Sequence, residues 1–494
     1  MNGPLARVAT FALVLLVALI AGTTYWQVWA ASGLANRQDN AIQRVAQFTI
    51  KRGKIFGSKA KTTYATNVRR KVKGQTFYFR RYPNDGMLAQ TVGYSTEQRF
   101  RTGLEQSLND YLTGTNTNLN TVIRTSLDRL KGVTVTGNNL FVTVNPRAQR
   151  VAQDALGTQC GAVVALEPST GKVLVLASSP TFNLNLADTR RFLPAVNKIR
   201  ANCHPASPLV NRGTAATFPP GSTFKVVTAA AALDTGIYTP ESHFYDQGYC
   251  IEYGQKVKNA GDPESPEQFG SLTFAQGLEH SVNSVFCKIG MRLGAIRILD
   301  YAKRFGFYSL PPLETPNNER TPSGLYDKGR LFFPKNNSDV DPGRLAFGQE
   351  RMVVTPLQMA MVAAGVGNKG VVMRPYVVDR IEQPNGSLVT RTSPRELSRA
   401  IKPQTAAELT LMMQAVVTGG TGMAAQIPGV SVAGKTGTAE TGNSGINTTW
   451  FIAFAPADHP KVAIAVVLQN QTGFGGATAA PIAKTVMEAL LTRP

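Results

Sequence analysis

The pattern of apolar and polar positions divides the chain into three stretches. Val8 to Asn36, bounded by Arg7 and Arg37, holds no Asp, Glu, Lys or Arg. Within it, Val8 to Ala31 is mostly apolar around Leu13-Val-Leu-Leu-Val-Ala-Leu-Ile20, and Trp26 and Trp29 stand at the far end, where an aromatic belt would meet an interface. The run predicts a single membrane-spanning helix. Val28-Trp29-Ala30 also fits a cleavage site, but the apolar run exceeds the usual core of a cleaved signal peptide. Basic residues lie on both sides of the span, so charge does not set its orientation.

From Arg37 to about Asn145, short apolar stretches alternate with basic clusters and polar turns such as Tyr82-Pro-Asn-Asp-Gly86, and Thr115 to Asn120 reads as a loop. Acids, histidines and cysteines do not cluster here, which predicts a pedestal or partner-binding unit. The pattern changes again near Asn145-Pro146. Gly161-Ala-Val-Val-Ala-Leu166 and Lys172-Val-Leu-Val-Leu-Ala177 predict a hairpin around Glu167-Pro-Ser-Thr-Gly171. Three more strands are predicted at Val430–Gly437, Trp450–Ala455 and Val462–Leu468, followed by a helix from near Pro481 with Ile482, Val486 and Leu490 on one face. Strands at both ends with helices between imply an α+β unit whose sheet is assembled from distant segments. The expected units are 1–36 (tail and anchor), 37–150 (pedestal) and 151–494.

With 494 residues, 43% of them hydrophobic, the chain can bury sizeable cores. The net charge of +21 is concentrated between Ala41 and Arg101, where 14 Lys or Arg face only Asp85 and Glu97. Without aromatic interleaving or a nucleic-acid motif, an anionic lipid or wall polymer fits that patch better than nucleic acid. The four histidines, His204, His243, His280 and His459, show no metal-binding spacing, and His280 is expected to be exposed. Cys160, Cys203, Cys250 and Cys287 could be free thiols or form up to two disulfides in any of three pairings. No metal or cofactor is expected.

The candidate chemistry begins at Phe218-Pro-Pro-Gly-Ser-Thr-Phe-Lys-Val-Val-Thr228. Pro219 and Pro220 resist a strand, Gly221 offers a flexible joint, and Thr223 to Leu233 has helix-forming composition closed by Gly236. Positions three apart share a helix face, so Ser222 and Lys225 can meet. A serine hydroxyl needs a base beside it, and a lysine can act as one where burial or a neighbouring cation lowers its pKa. Taken alone, Ser222 could equally cap a core helix. Gly429-Val-Ser-Val-Ala-Gly-Lys-Thr436 matches a phosphate-binding loop, but the segment after it is a poor helix and no following strand ends in a magnesium-binding aspartate.

Read instead as Lys-Thr-Gly on a strand, Lys435-Thr436-Gly437 completes a set with Ser222-x-x-Lys225 and Ser281-Val-Asn283. Ser281 and Asn283 alone could be a surface or capping pair; the ordered set is far more specific. With it the chain resembles the class B, single-anchor penicillin-binding proteins, of the actinobacterial A type. Arg52-Gly-Lys-Ile55, Gly103-Leu-Glu105, Asn211-Arg212, Gly348-Gln349, Thr355-Pro-Leu-Gln358 and Trp450-Phe451 add to the resemblance. It spans nearly the whole chain and is weakest between Ser58 and Thr91. Glu350 stands where a small or neutral residue is commoner in the family.

The resemblance implies a penicillin-binding transpeptidase domain after a pedestal, and a peptidoglycan D,D-transpeptidase acylated by β-lactams. Ser222 would be the nucleophile, Lys225 its base and Ser281 a proton relay, while Asn283 would hold Lys225 and the substrate amide. Lys435 would supply positive charge, Thr436, Gly437 and Thr438 would bind substrate, and the N–H groups of Ser222 and Thr438 would form the oxyanion hole. A membrane location with the catalytic unit outside the cytoplasm is implied, serving cell shape or cell division. No glycosyltransferase unit is expected, so a separate glycan polymerase would be a partner. A β-lactamase or a non-catalytic β-lactam sensor would share parts of the same motif set.

Overall fold

The computed structural model describes residues 2–26 and 48–492, apart from 59–60, 85, 98–99, 116–122, 124–125, 128–129, 132–133, 261–264 and 441–444. The first helix, Asn2–Thr24, contains an apolar stretch, Ala6–Thr24, of 19 residues with mean hydropathy 2.1, none of it buried against the rest of the protein. Its described side chains are not buried against the rest of the protein, and the stretch is long and apolar enough to cross a membrane. Trp26 is exposed just beyond it, while Trp29 and Thr115–Asn120 beyond Thr115 lie outside the described residues.

The pedestal is built on a six-stranded sheet in the order Leu388–Arg391, Val378–Glu382, Asn139–Val142, Ile55–Phe56, Thr63–Val72, Gln75–Arg81. Two of its strands therefore come from far along the chain, a contribution that linear reading of the pedestal did not anticipate. Two of the sequence matches meet here: Glu105, fully buried, accepts from Arg52 Nη2 at 2.7 Å and from Arg80 Nε. Burial alone would raise the Glu105 carboxyl, and the guanidiniums of Arg80 and Arg52 outweigh it and hold the group ionised.

The second sheet has five antiparallel strands in the order Ala433–Glu440, Asn447–Ala455, Val462–Gln471, Gly161–Leu166, Val173–Ser179. Both faces are covered, which explains near-continuous apolar strands rather than alternation with polar residues. Val164, Ile452 and Val467 face one core with helices Lys225–Asp234 and Pro356–Gly367; Val163, Phe451 and Val466 face the other, with Pro146–Leu156 and Gly475–Leu491.

Several expected boundaries move, two of them near the site. The third-motif strand runs from Ala433 to Glu440 rather than starting at Val430, which instead closes a small bridge with Ile427. The last helix begins at Gly475, not near Pro481, which lies inside it. Its glycines act here as packing residues: a Cβ on Gly475 would collide with the carbonyls of Trp450 and Gly437, so only glycine lets the helix start press onto the sheet. All four cysteines are paired, as Cys160–Cys203 and Cys250–Cys287.

Candidate active site

Ser222 sits in a 3-10 turn, Gly221–Phe224, from which the helix Lys225–Asp234 continues, so the helix starts two residues later than its composition predicts. Gly221 is not a flexible joint. It has φ +50°, and a Cβ there would lie 2.5 Å from the Thr438 carbonyl oxygen, so the turn is pressed against the third-motif strand. Gly437 is held from the other side, its missing Cβ facing the Pro220 carbonyl and the Thr223 methyl. Trp450, fully buried, donates its indole N–H to the Pro219 carbonyl at 2.9 Å and locks the approach to Ser222. At the far end of the helix Gly236 has φ +69°, as a closing residue should.

Lys225 is wholly buried and does not bond to Ser222. Its Nζ donates to the Ser281 carbonyl at 2.5 Å, to Asn283 Oδ1 at 2.8 Å and to Ser281 Oγ at 3.2 Å. Ser281 can present carbonyl and hydroxyl to one amine because its backbone is left-handed, φ +61°, a strained conformation for a serine and one found at functional sites. Asn283 opens the helix Asn283–Leu293, and its amide donates to the Lys258 carbonyl at 3.0 Å. Lys435 approaches from the sheet, also wholly buried: its Nζ donates to Ser281 Oγ at 2.8 Å and to the Thr436 carbonyl at 3.0 Å. The Ser281 hydroxyl is thus shared by two amines from opposite walls. The Thr436 hydroxyl lies 2.6 Å from that of Thr421, and Thr438 Oγ1 accepts the Gly475 N–H at 3.3 Å.

Burial sets the electrostatics. An ammonium out of water and without a carboxylate is disfavoured, so Lys435 is lowered to about 7, and Lys225 is pushed well below its ordinary value by burial and then by the charge of Lys435. A buried lysine with a lowered pKa, three residues after the half-buried Ser222 and with a second lowered amine across Ser281, is an arrangement that can activate a serine nucleophile.

Of the sequence-predicted residues, Lys225, Ser281, Asn283 and Lys435 meet in one hydrogen-bonded cluster, and Thr436, Gly437 and Thr438 lie on the strand that packs against the Ser222 turn. Sequence reasoning missed Asp246. Buried beneath the second motif, it accepts from Gly248 N, Phe269 N and Asn259 Nδ2 at 2.9 Å each and from Ser284 Oγ at 2.5 Å, while Asn259 Oδ1 accepts from Ser284 N. No local pattern marks it. His280 is half-buried and stacked on Phe269 at 5.2 Å rather than exposed, and Glu350 pairs with Arg351 at 2.9 Å. Among the described residues no group of three or more His, Cys, Asp or Glu could hold a metal.

Comparison with known proteins adds an independent line. Residues 161–488 match the family profile described as penicillin binding protein transpeptidase domain, and residues 52–140 match the penicillin binding protein A dimerisation domain. The chain is similar to peptidoglycan D,D-transpeptidase PbpA of Mycolicibacterium smegmatis (36% identity, 99% of each chain covered) and of Mycobacterium tuberculosis (35%, 99% of each). Among solved structures it resembles M. tuberculosis penicillin-binding protein A in its ceftriaxone acyl-enzyme complex, with a TM-score of 0.80 and 32% identity over 91% of this chain and 100% of that one. The imipenem acyl-enzyme complex gives a TM-score of 0.79 at 33% identity, over 90% of this chain and 100% of that one.

Proposed function

This chain belongs to the penicillin-binding protein transpeptidase family, and we propose that it cross-links peptidoglycan with Ser222 as its acylated nucleophile. It is a serine D,D-transpeptidase acting on stem peptides, and β-lactams acylate it. The observation that carries the assignment of residues is the Ser281 hydroxyl placed between the amines of Lys225 and Lys435, beside the Ser222 turn.

Ser222 Oγ attacks the carbonyl of the penultimate D-alanine while Lys225, neutral because it is buried, takes the hydroxyl proton. The Ser222 and Thr438 N–H groups meet the developing oxyanion; loss of one such donor typically costs about 2.7–4 kcal/mol of barrier. The tight packing of Gly221 on Thr438 supports that pairing. As the amide C–N bond breaks, the proton passes through Ser281 Oγ to the leaving D-alanine amine. Lys435 supplies charge that keeps Lys225 neutral and faces the substrate carboxylate, with Thr436, Gly437 and Thr438 as the strand that binds it. Asn283 holds Lys225 and the substrate amide. An amine from a second strand then attacks the acyl-enzyme, releasing Ser222 and forming the cross-link.

We further infer that residues 1–36 are a tail and anchor, 37–150 a pedestal and 151–494 the catalytic unit, with the strands of 378–391 completing the pedestal sheet. The apolar Ala6–Thr24 helix fits a single-pass anchor. The catalytic unit then lies outside the cytoplasm, where its substrate is, and a separate glycan polymerase docks through anchor and pedestal. The experiment is labelling of the full chain with a fluorescent penicillin. A long-lived adduct lost in Ser222→Ala is expected; rapid release of the label would mark a lactamase, and labelling that survives Ser222→Ala would remove Ser222 from the mechanism.

A further inference from the structure

Thr421 lies on the loop that follows the helix Pro403–Thr418, and no step of the transpeptidase reaction above uses it. Its hydroxyl oxygen stands 2.6 Å from that of Thr436, which is buried on the third-motif strand. Thr436 Oγ1 is also 3.5 Å from Lys435 Nζ, the amine that donates to the Thr436 carbonyl at 3.0 Å. The loop is held by its backbone. Thr421 N donates to the Glu279 carbonyl at 3.4 Å, and Glu279 ends the helix Phe274–Glu279 two residues before Ser281. A Cβ on Gly420 would collide with that same carbonyl, and one on Gly476 with the carbonyl of Thr421. The loop is therefore wedged between the approach to the second motif and the start of the last helix, and it presents the Thr421 hydroxyl to the third motif from a packed support.

Either hydroxyl of the pair can donate, and the substrate decides between them. A hydroxyl has one proton and two lone pairs, whereas a carboxylate only accepts. A Thr436 hydroxyl that binds a carboxylate must give it that proton, so the 2.6 Å bond has to be donated by Thr421. The opposite arrangement, with Thr436 donating to Thr421, turns the Thr436 lone pairs toward the anion. Donation by Thr421 also polarises the Thr436 O–H and strengthens the bond it makes to a charged acceptor. Thr421 is itself exposed, so water can supply the hydrogen bond that its own oxygen accepts.

Resting on the transpeptidase reading, in which Thr436 binds the substrate carboxylate, we propose that Thr421 is a positioning residue whose hydroxyl donates to Thr436 Oγ1 and so reserves the Thr436 proton for that carboxylate. The test measures acylation of the full chain, Thr421→Val and Thr421→Ser by a penicillin with its free carboxylate and by the methyl ester of the same penicillin. Valine keeps the shape and removes the hydroxyl; serine keeps the hydroxyl. With the free acid, Thr421→Val should raise the apparent dissociation constant about fivefold while the limiting acylation rate stays within about twofold, and Thr421→Ser should restore the constant. With the ester, Thr421→Val and the unaltered chain should agree within about twofold, because no anion then calls for the proton. An unchanged constant for the acid in Thr421→Val overturns the proposal, as does an equal loss on acid and ester or a loss that serine fails to restore. If the unaltered chain fails to react with the acid, the transpeptidase reading itself falls, a different result from these.

Discussion

Gly221 and Thr438, distant in sequence, are packed so closely that a Cβ on the first would lie 2.5 Å from the carbonyl oxygen of the second. Gly221→Ala must also carry a side chain at φ +50°. The turn then withdraws from the strand and separates the two N–H groups proposed for the oxyanion hole. A displacement of about 1 Å can cost on the order of 100-fold in rate. Stopped-flow acylation by a β-lactam should therefore slow by at least about tenfold, with little change in the melting of the pedestal.

The two amines at Ser281 predict a bell-shaped pH profile for acylation of the free enzyme. The rate rises from acid as Lys225 loses its proton, and falls again through about 7 as Lys435 is discharged. The amines interact, so the two limbs belong to the pair. Acylation rates measured across the pH range check this; a profile flat through neutrality would remove Lys435 as the charged partner.

Burial of Lys435 costs stability. Its folded value of about 7 lies below the ordinary 10.5, so in that window the unfolded chain binds a proton that the folded chain does not, and stability rises with pH. Lys435→Met should thus stabilise the fold at neutral pH by on the order of a few kcal/mol, offset in part by the lost bonds to Ser281 and Thr436. The gain should shrink toward about pH 10, while acylation is lost throughout. Denaturant melts of both proteins at the two pH values decide it.

Asp246 bonds Ser284, the residue after Asn283, and through it is expected to hold Ser281 and Asn283 in position. In Asp246→Asn the amide NH₂ faces either Gly248 N–H or both Phe269 N–H and Asn259 Nδ2, so at least one donor is orphaned whichever way the amide turns, at about 1–3 kcal/mol for each. Because Ser284 anchors the motif that cages Lys225, acylation should slow and the acid limb of the pH profile should move. A fall in melting temperature with an unmoved limb would reduce Asp246 to a purely structural role.

What the sequence by itself determined is local or short in range. The apolar run from Val8 to Ala31 and the strand patterns of Gly161–Leu166 and Val462–Leu468 can each be read within one segment, because hydrophobic periodicity is a local property, while Ser222, Lys225, Ser281, Asn283 and Lys435, each in a short motif, become candidates only through the order of the three motifs. Only the tertiary structure decided the rest. Lys225 turns from Ser222 to Ser281 because residues 56 and 58 positions away supply better acceptors in a buried space. The disulfide pairing, the Asp246 cluster, the left-handed Ser281, the early start of the last helix at Gly475 and the joining of Val378–Glu382 to the pedestal sheet all depend on distant segments meeting. Desolvation is a property of that assembled surrounding; it lowers both lysines, and for Lys225 the charge of Lys435 adds to it.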